Sequence, residues 1–238
     1  MINAPMLQDR IQAIWQRLRQ ALASGAQGGV RSHRSVAARG GGHSDANRGR
    51  WVVLDCETTG LNPQTDTLIS IGAVAIVDGA IRLSDGFERL LRPPTPSDRA
   101  NVLIHGIGQQ AQAQAEDPVQ VLRDWVHWLG DSPCIAFHAR FDRGFLERAI
   151  REHLGMALRS SWLDLAELGP AIDPQARGRS LDDWLDRYAI RVSPRHQASA
   201  DALASAMLLQ CWLARMPAHE RSFKALQHLA RHRHLLGG

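Results

Sequence analysis

The chain has 238 residues, 44% hydrophobic and 22% charged, a composition that supports a buried core and excludes a wholly disordered, collagen-like or disulfide-scaffold protein. Three scattered cysteines, Cys56, Cys134 and Cys211, lack any C-x-x-C spacing; this argues against disulfides or a cysteine zinc site and fits a reducing cytoplasm. The net charge of +4 is uneven: residues 1–50 carry eight Arg against Asp9 and Asp45, a net +6, residues 217–238 carry +3, and the stretch between is left at −5.

In chain order, the apolar residues Leu7, Ile11, Ile14, Leu18 and Leu22 recur at helical spacing, which predicts an amphipathic helix over 1–24. Residues 25–50 are dominated by Gly, Ser and Arg with no apolar period and read as a flexible linker. Order begins at Trp51, where an apolar run to Asp55 followed by Thr58, Thr59 and Gly60 reads as a buried strand and a turn. Two strands, Leu68 to Val77 and Ala80 to Leu91, meet at the hairpin signal Asp78-Gly79. A helix from Asp117 to Leu129, a strand from Cys134 to Phe137 and a helix from about Phe141 to Leu154 follow. Further helical segments fall at Leu163 to Leu168, Leu181 to Tyr188 and Ala198 to Met216. Strands first, then helices alternating with single strands, predict an α/β domain over 51–216 with a mixed sheet covered by helices. Residues 217–238 read as a solvated basic tail of helical character. The N-terminal residues are polar and the longest apolar run, Leu68 to Val77, is far short of a bilayer span, so neither a signal peptide nor a membrane helix is expected.

Three elements carry candidate chemistry. Asp55 and Glu57 sit two apart at the end of the first strand, so period-two alternation sends both carboxylates to one face and Cys56 to the other. Two neighbouring buried carboxylates repel unless a cation neutralises them, and oxygen ligands favour Mg2+ or Mn2+; the alternative is a strand end that simply dips into solvent. Asp142 follows Phe141 at the start of a helix, where a capping role competes with a ligand role. Asp201 lies in the first turns of an apolar helix with His196 on the loop before it, an imidazole that is either solvated or poised beside the carboxylate.

Together these elements resemble the DEDDh family of 3′-to-5′ exonucleases, the proofreading-subunit-like nucleases. The motif D-x-E-T-T-G-L is met by Asp55 to Leu61, the F-D ending by Phe141-Asp142, and H-x-A-x-x-D-A by His196 to Ala202. His105-Gly106-Ile107 matches the family's H-G-I segment. The resemblance covers about Trp51 to Met216 and implies a ribonuclease H-like fold with a five-stranded mixed sheet, preceded here by the N-terminal helix and linker. The chain departs from the family at His138, which stands where an asparagine is usual. Asp164 falls in a segment where relatives have D-T-L, and a capping role is the expectation for it.

The resemblance further implies two-metal hydrolysis of a phosphodiester, with Asp55, Glu57, Asp142 and Asp201 holding two Mg2+ or Mn2+ ions and His196 as general base. Thr58 is expected at the 3′ hydroxyl, Leu61 against the terminal base and Phe141 behind the site, with His138 a candidate phosphate contact. The expected product is a nucleoside 5′-monophosphate from a single-stranded 3′ end, DNA or RNA, with DNA favoured and roles in DNA repair or replication. A polymerase or other protein partner is expected through the N-terminal helix, and no membrane partner. The alternatives are an oligoribonucleotide or small-RNA trimming nuclease and an inactive nucleic-acid-binding scaffold. The scaffold would be favoured by a missing carboxylate or histidine, and all five are present.

Overall fold

The computed structural model describes residues 49–176, 180–193 and 196–236. The predicted helix at 1–24 and the predicted linker up to residue 48 lie outside the described residues. Strands β1 (Arg50–Thr58), β2 (Leu68–Val77), β3 (Ala80–Leu90), β4 (Cys134–Ala136) and β5 (Trp162–Asp164) form one sheet in the order β3-β2-β1-β4-β5. The first three strands pair antiparallel, whereas β4 joins β1 in parallel and β5 joins β4 in parallel. The helices are α1 (Arg99–His105), α2 (Gln109–Ala113), α3 (Pro118–Leu129), α4 (Ala139–Leu154), α5 (Leu165–Ile172), α6 (Leu181–Arg187), α7 (Ala198–Arg215) and α8 (Phe223–Leu236).

Local chemistry explains most of these bounds. Asp78 (φ 52°) and Gly79 (φ 76°) both take the left-handed conformation, which a two-residue hairpin needs to match the strand twist. Asp117 caps α3 by accepting the Val119 N–H, with Pro118 at the first helical position, where a missing N–H costs nothing. β2 is buried along nearly its whole length, as its continuous apolar run requires of a strand covered on both faces. β3, at the sheet edge, alternates toward solvent.

The two faces of β1 are divided cleanly. Val52, Leu54 and Cys56 join one core with Trp125 and Leu129 of α3 and Phe145 and Leu146 of α4. Asp55 pairs directly with Gly72 of β2, and both lie on the opposite face, against α7. That helix is buried around most of its circumference, the state expected of a central helix without a polar stripe.

Three expectations need correction. Arg50 belongs to β1 rather than to the linker: its guanidinium grips Asp85 at 2.8 and 2.9 Å, donates to Ser132 Oγ at 2.8 Å and lies over the Trp128 ring. The segment Leu163 to Leu168 is not all helix, because Trp162–Asp164 forms β5, in register with Cys134–Ala136. Three residues are too few to display a period, and their strand character comes from pairing with β4. The end of the chain is not a solvated tail: Phe223, Leu226 and Ala230 of α8 are buried, Phe223 meets Trp51 edge-on at 5.8 Å and Gln227 donates to the Trp162 carbonyl. Its interleaved cations Lys224 and Arg231 obscure that apolar stripe in the sequence. Among the described residues no helix is long and apolar enough to cross a membrane.

Candidate active site

The site is built where β1 ends. A register shift between Glu57 and Thr58 breaks the ladder there, a local irregularity of the kind that re-aims side chains beside functional sites. Asp55 and Glu57 are half-buried while Cys56 between them is buried, so the alternation anticipated from the sequence holds. Thr58 is buried and its hydroxyl donates to the Gly60 carbonyl at 2.6 Å, closing the turn that follows.

The opposing wall is the first turn of α7. Gly72 permits this approach: a Cβ at that position would overlap the backbone of Ala198 and Ser199. Ser199 Oγ also donates to Glu88 Oε1 on β3 at 2.8 Å, so the helix start is fixed to two strands. Asp201 thereby comes to Asp55 and Glu57, and one oxygen from each of the three carboxylates lies within 4.8 Å of the others. Asp201 is buried, and its Oδ2 accepts the His196 backbone N–H at 3.1 Å. That bond explains the five-residue spacing in the sequence. It also holds His196, an exposed residue, in a left-handed backbone conformation (φ 59°).

The electrostatics of the site are governed by burial and by carboxylates crowding one another. The Glu57 carboxyl is pushed up from 4.5 to about 7, first by burial and then by the charge of Asp201. Asp142, in the first turn of α4, is almost fully buried, and burial lifts its carboxyl well above the usual range against hydrogen bonds from its own backbone and from Cys56. Asp142 is not part of the three-carboxylate set: it is turned to the backbone and thiol of Cys56. Burial and the neighbouring Asp142 hold the Cys56 thiol neutral by raising it well above its ordinary value. Cys56 is thus a core residue on the face away from Asp55 and Glu57, as the alternation predicts, and the carboxylate it meets is Asp142.

The remaining predicted residues frame this centre. His138 is exposed and takes a left-handed conformation (φ 62°) immediately before α4, and its backbone N–H donates to Asp164 Oδ1 at 3.0 Å. Asp164 caps α5 through the Ala166 N–H at 2.9 Å. The capping role expected of it is therefore joined by one that the sequence does not reveal, a tie across 26 residues to the start of the helix carrying Asp142. Phe141 packs on the core with its ring 4.8 Å from Phe145. Leu61 is 83% exposed at the tip of the loop after β1. His105 is buried, its Nδ1 accepting the Ile107 N–H at 3.0 Å and its Nε2 standing 3.3 Å from Ser97 Oγ. Burial lowers its pKa, and its role is to shape the turn at Gly106. Gly72 escaped the sequence reading although it is the one glycine inside the apolar run of β2, which is the signal that could have marked a close backbone approach.

The family model described as Exonuclease (RNase_T) matches residues 52–209. The chain is 34% identical over 160 residues to the DNA polymerase III PolC-type of Bacillus subtilis (strain 168), covering 67% of this chain and 11% of that protein. It is 33% identical over 158 residues to the protein of the same name in Thermotoga maritima, covering 66% and 11%. It thus spans about a tenth of the length of these relatives. Among solved structures, exonuclease I superposes with a TM-score of 0.65 at 17% identity over 78% of this chain and 44% of that one. E. coli exonuclease I in complex with a dA16 oligonucleotide superposes at 0.62 and 18% identity, covering 78% and 44%. These likenesses show the ribonuclease H-like fold, with the mixed five-stranded sheet expected from the motifs.

Proposed function

Because the chain belongs to the RNase_T exonuclease family, we propose that it is a 3′-to-5′ exonuclease that removes nucleoside 5′-monophosphates from single-stranded ends, with DNA as the favoured substrate. The observation that carries this reading is the set of Asp55, Glu57 and Asp201, with mutually close oxygens and a Glu57 carboxyl raised to about 7 by burial and by Asp201. Three carboxylates crowded in this way fit divalent cations with a preference for oxygen, Mg2+ or Mn2+. Asp55, Glu57 and Asp201 would hold them, with Asp142 completing the site from beside Cys56. Bound ions of this kind supply charge stabilisation to the phosphoryl group and acidify water.

The chain's own residues do the rest. The backbone tie to Asp201 keeps His196 next to the carboxylates while its side chain faces solvent. An imidazole nitrogen there takes the proton of the attacking water as the new P–O bond forms and the bond to the 3′ oxygen breaks; that oxygen leaves with a proton from solvent. Leu61, exposed, meets the terminal base, and such contacts tolerate any sequence. The preference for DNA is supported by the PolC-type DNA polymerases among the relatives and by the oligonucleotide complex among the structural neighbours. The polymerase relatives also support a place in DNA replication.

The test is digestion of single-stranded DNA and RNA of one sequence, labelled at the 5′ end, with Mg2+, with Mn2+ or with chelator. A descending ladder that needs metal and is faster on DNA is expected. Immediate release of the labelled 5′ nucleotide would overturn the direction, faster RNA decay would favour the trimming nuclease, and no cleavage at all would favour the scaffold.

A further inference from the structure

Helix α7 begins without a side-chain cap. Gln197 stands at the capping position and its side chain makes no hydrogen bond to the first turn, although that turn carries Asp201 and lies just after His196. The first N–H groups of a helix have no partner within it, and a start that lacks a cap is correspondingly less stable. His196 adds strain, because a left-handed backbone (φ 59°) at a residue with a Cβ persists only where its surroundings over-determine it. Asp201 supplies one restraint by accepting the His196 N–H, but the same carboxylate belongs to the acidic cluster.

The sheet supplies a second restraint. Asp55 pairs with Gly72 and Gly72 with Glu88, and residues directly opposite on antiparallel strands share a face. On the face turned to α7 they therefore form one row across β1, β2 and β3, with a carboxylate at each end and no side chain in the middle. The backbone of Ala198 and Ser199 occupies the space over Gly72. On one side of it Asp55 faces the acidic cluster. On the other, Glu88 Oε1 accepts a hydrogen bond from Ser199 Oγ at 2.8 Å, across 111 residues of sequence, and an ionised acceptor makes this the stronger kind of hydrogen bond.

We propose that Glu88 is a positioning residue: through Ser199 Oγ it fixes the start of α7 over Gly72, and so sets where His196 and Asp201 stand relative to Asp55 and Glu57. The proposal rests on the site acting as the exonuclease described above. Glu88 lies outside the three-carboxylate set and acts only through the helix start, so its loss slows the cutting of the phosphodiester and leaves the holding of an end as it was.

The experiment measures kcat and KM separately for the full chain with Mg2+ on a 5′-labelled single-stranded DNA oligomer, at a temperature where circular dichroism shows every variant folded. Glu88→Ala and Ser199→Ala are each expected to lower kcat about tenfold, the worth of a hydrogen bond to a charged group, with KM within about twofold of the parent. Glu88→Gln keeps an accepting oxygen in place and should bring kcat back to within about threefold of the parent. The double variant Glu88→Ala with Ser199→Ala should be no slower than either single one, because both act through one bond. A rise in KM without a fall in kcat, an equal loss in Glu88→Gln and Glu88→Ala, or additive losses in the double variant would each overturn the proposal. If the parent cleaves the oligomer while Glu88→Ala matches it, this proposal alone fails; if the parent cleaves nothing, the functional reading fails and this one with it.

Discussion

Glu57→Gln should make the metal-free protein more stable at alkaline pH, and the size of the gain follows from the site. The Glu57 carboxyl keeps its proton to about pH 7 when folded but releases it near 4.5 when unfolded. Between those values the folded chain binds more protons, so stability falls as pH rises through the interval, and the full cost stands above about pH 7. At about 1.4 kcal/mol per pKa unit, that cost is about 3 kcal/mol. For a chain of this size it corresponds to roughly 6–12 °C in Tm. Glutamine keeps the shape of the side chain and carries no charge, so the parent and the variant should unfold together near pH 4.5 and separate as pH rises to 8. The assay is thermal unfolding followed by circular dichroism in chelator at several pH values. Taking the difference between parent and variant cancels the other titrating groups, including the raised Asp142 and Asp164 and the lowered His105, which acts in the opposite sense below its unfolded pKa. Added Mg2+ should then raise the parent's Tm at pH 8 more than the variant's, since a ligand that binds only the folded state stabilises it by mass action. A gap that stays constant with pH, or a parent more stable than Glu57→Gln at pH 8 in chelator, would refute the account of Glu57 as a buried carboxylate crowded by Asp201.

Asp201→Asn and His196→Ala should each lower kcat on a single-stranded oligomer by about 100-fold or more; calorimetric titration with Mn2+ should show weakened metal binding in the first and retained binding in the second. Gly72→Ala should cost about 1–3 kcal/mol in urea unfolding, because the methyl group meets the α7 backbone, and should lower kcat as well, because Asp201 and His196 ride on that helix start. Asp164→Ala should cost about 1–2 kcal/mol by removing the α5 cap and the support of the left-handed His138, and Asp164→Asn should restore most of it by keeping an accepting oxygen.

Much of this protein is written locally. The period-two placement of Asp55, Cys56 and Glu57, the Asp78-Gly79 hairpin and the long apolar helix carrying Asp201 depend on residues near one another in the chain, so alternation, turn chemistry and the length of an apolar run were enough to find them. The motifs then implied the family fold as a whole. The sequence could not show β5, whose three residues are a strand only because β4 offers them a partner, nor the seating of α8, whose apolar stripe is interrupted by cations. Nor could it show which carboxylates meet. Asp201 reaches Asp55 and Glu57 because Gly72 lets a helix backbone press against a strand 126 residues before it, while Asp142, equally prominent as a motif residue, turns to the thiol of Cys56. Asn101 and Asp164 belong to the same class: each is an ordinary polar residue until folding brings its amide or carboxylate to a backbone group 42 or 26 residues away. Alternation and turn preference act between chain neighbours, whereas these contacts depend on the distances between packed elements, which exist only once the sheet and its helices have closed around the core.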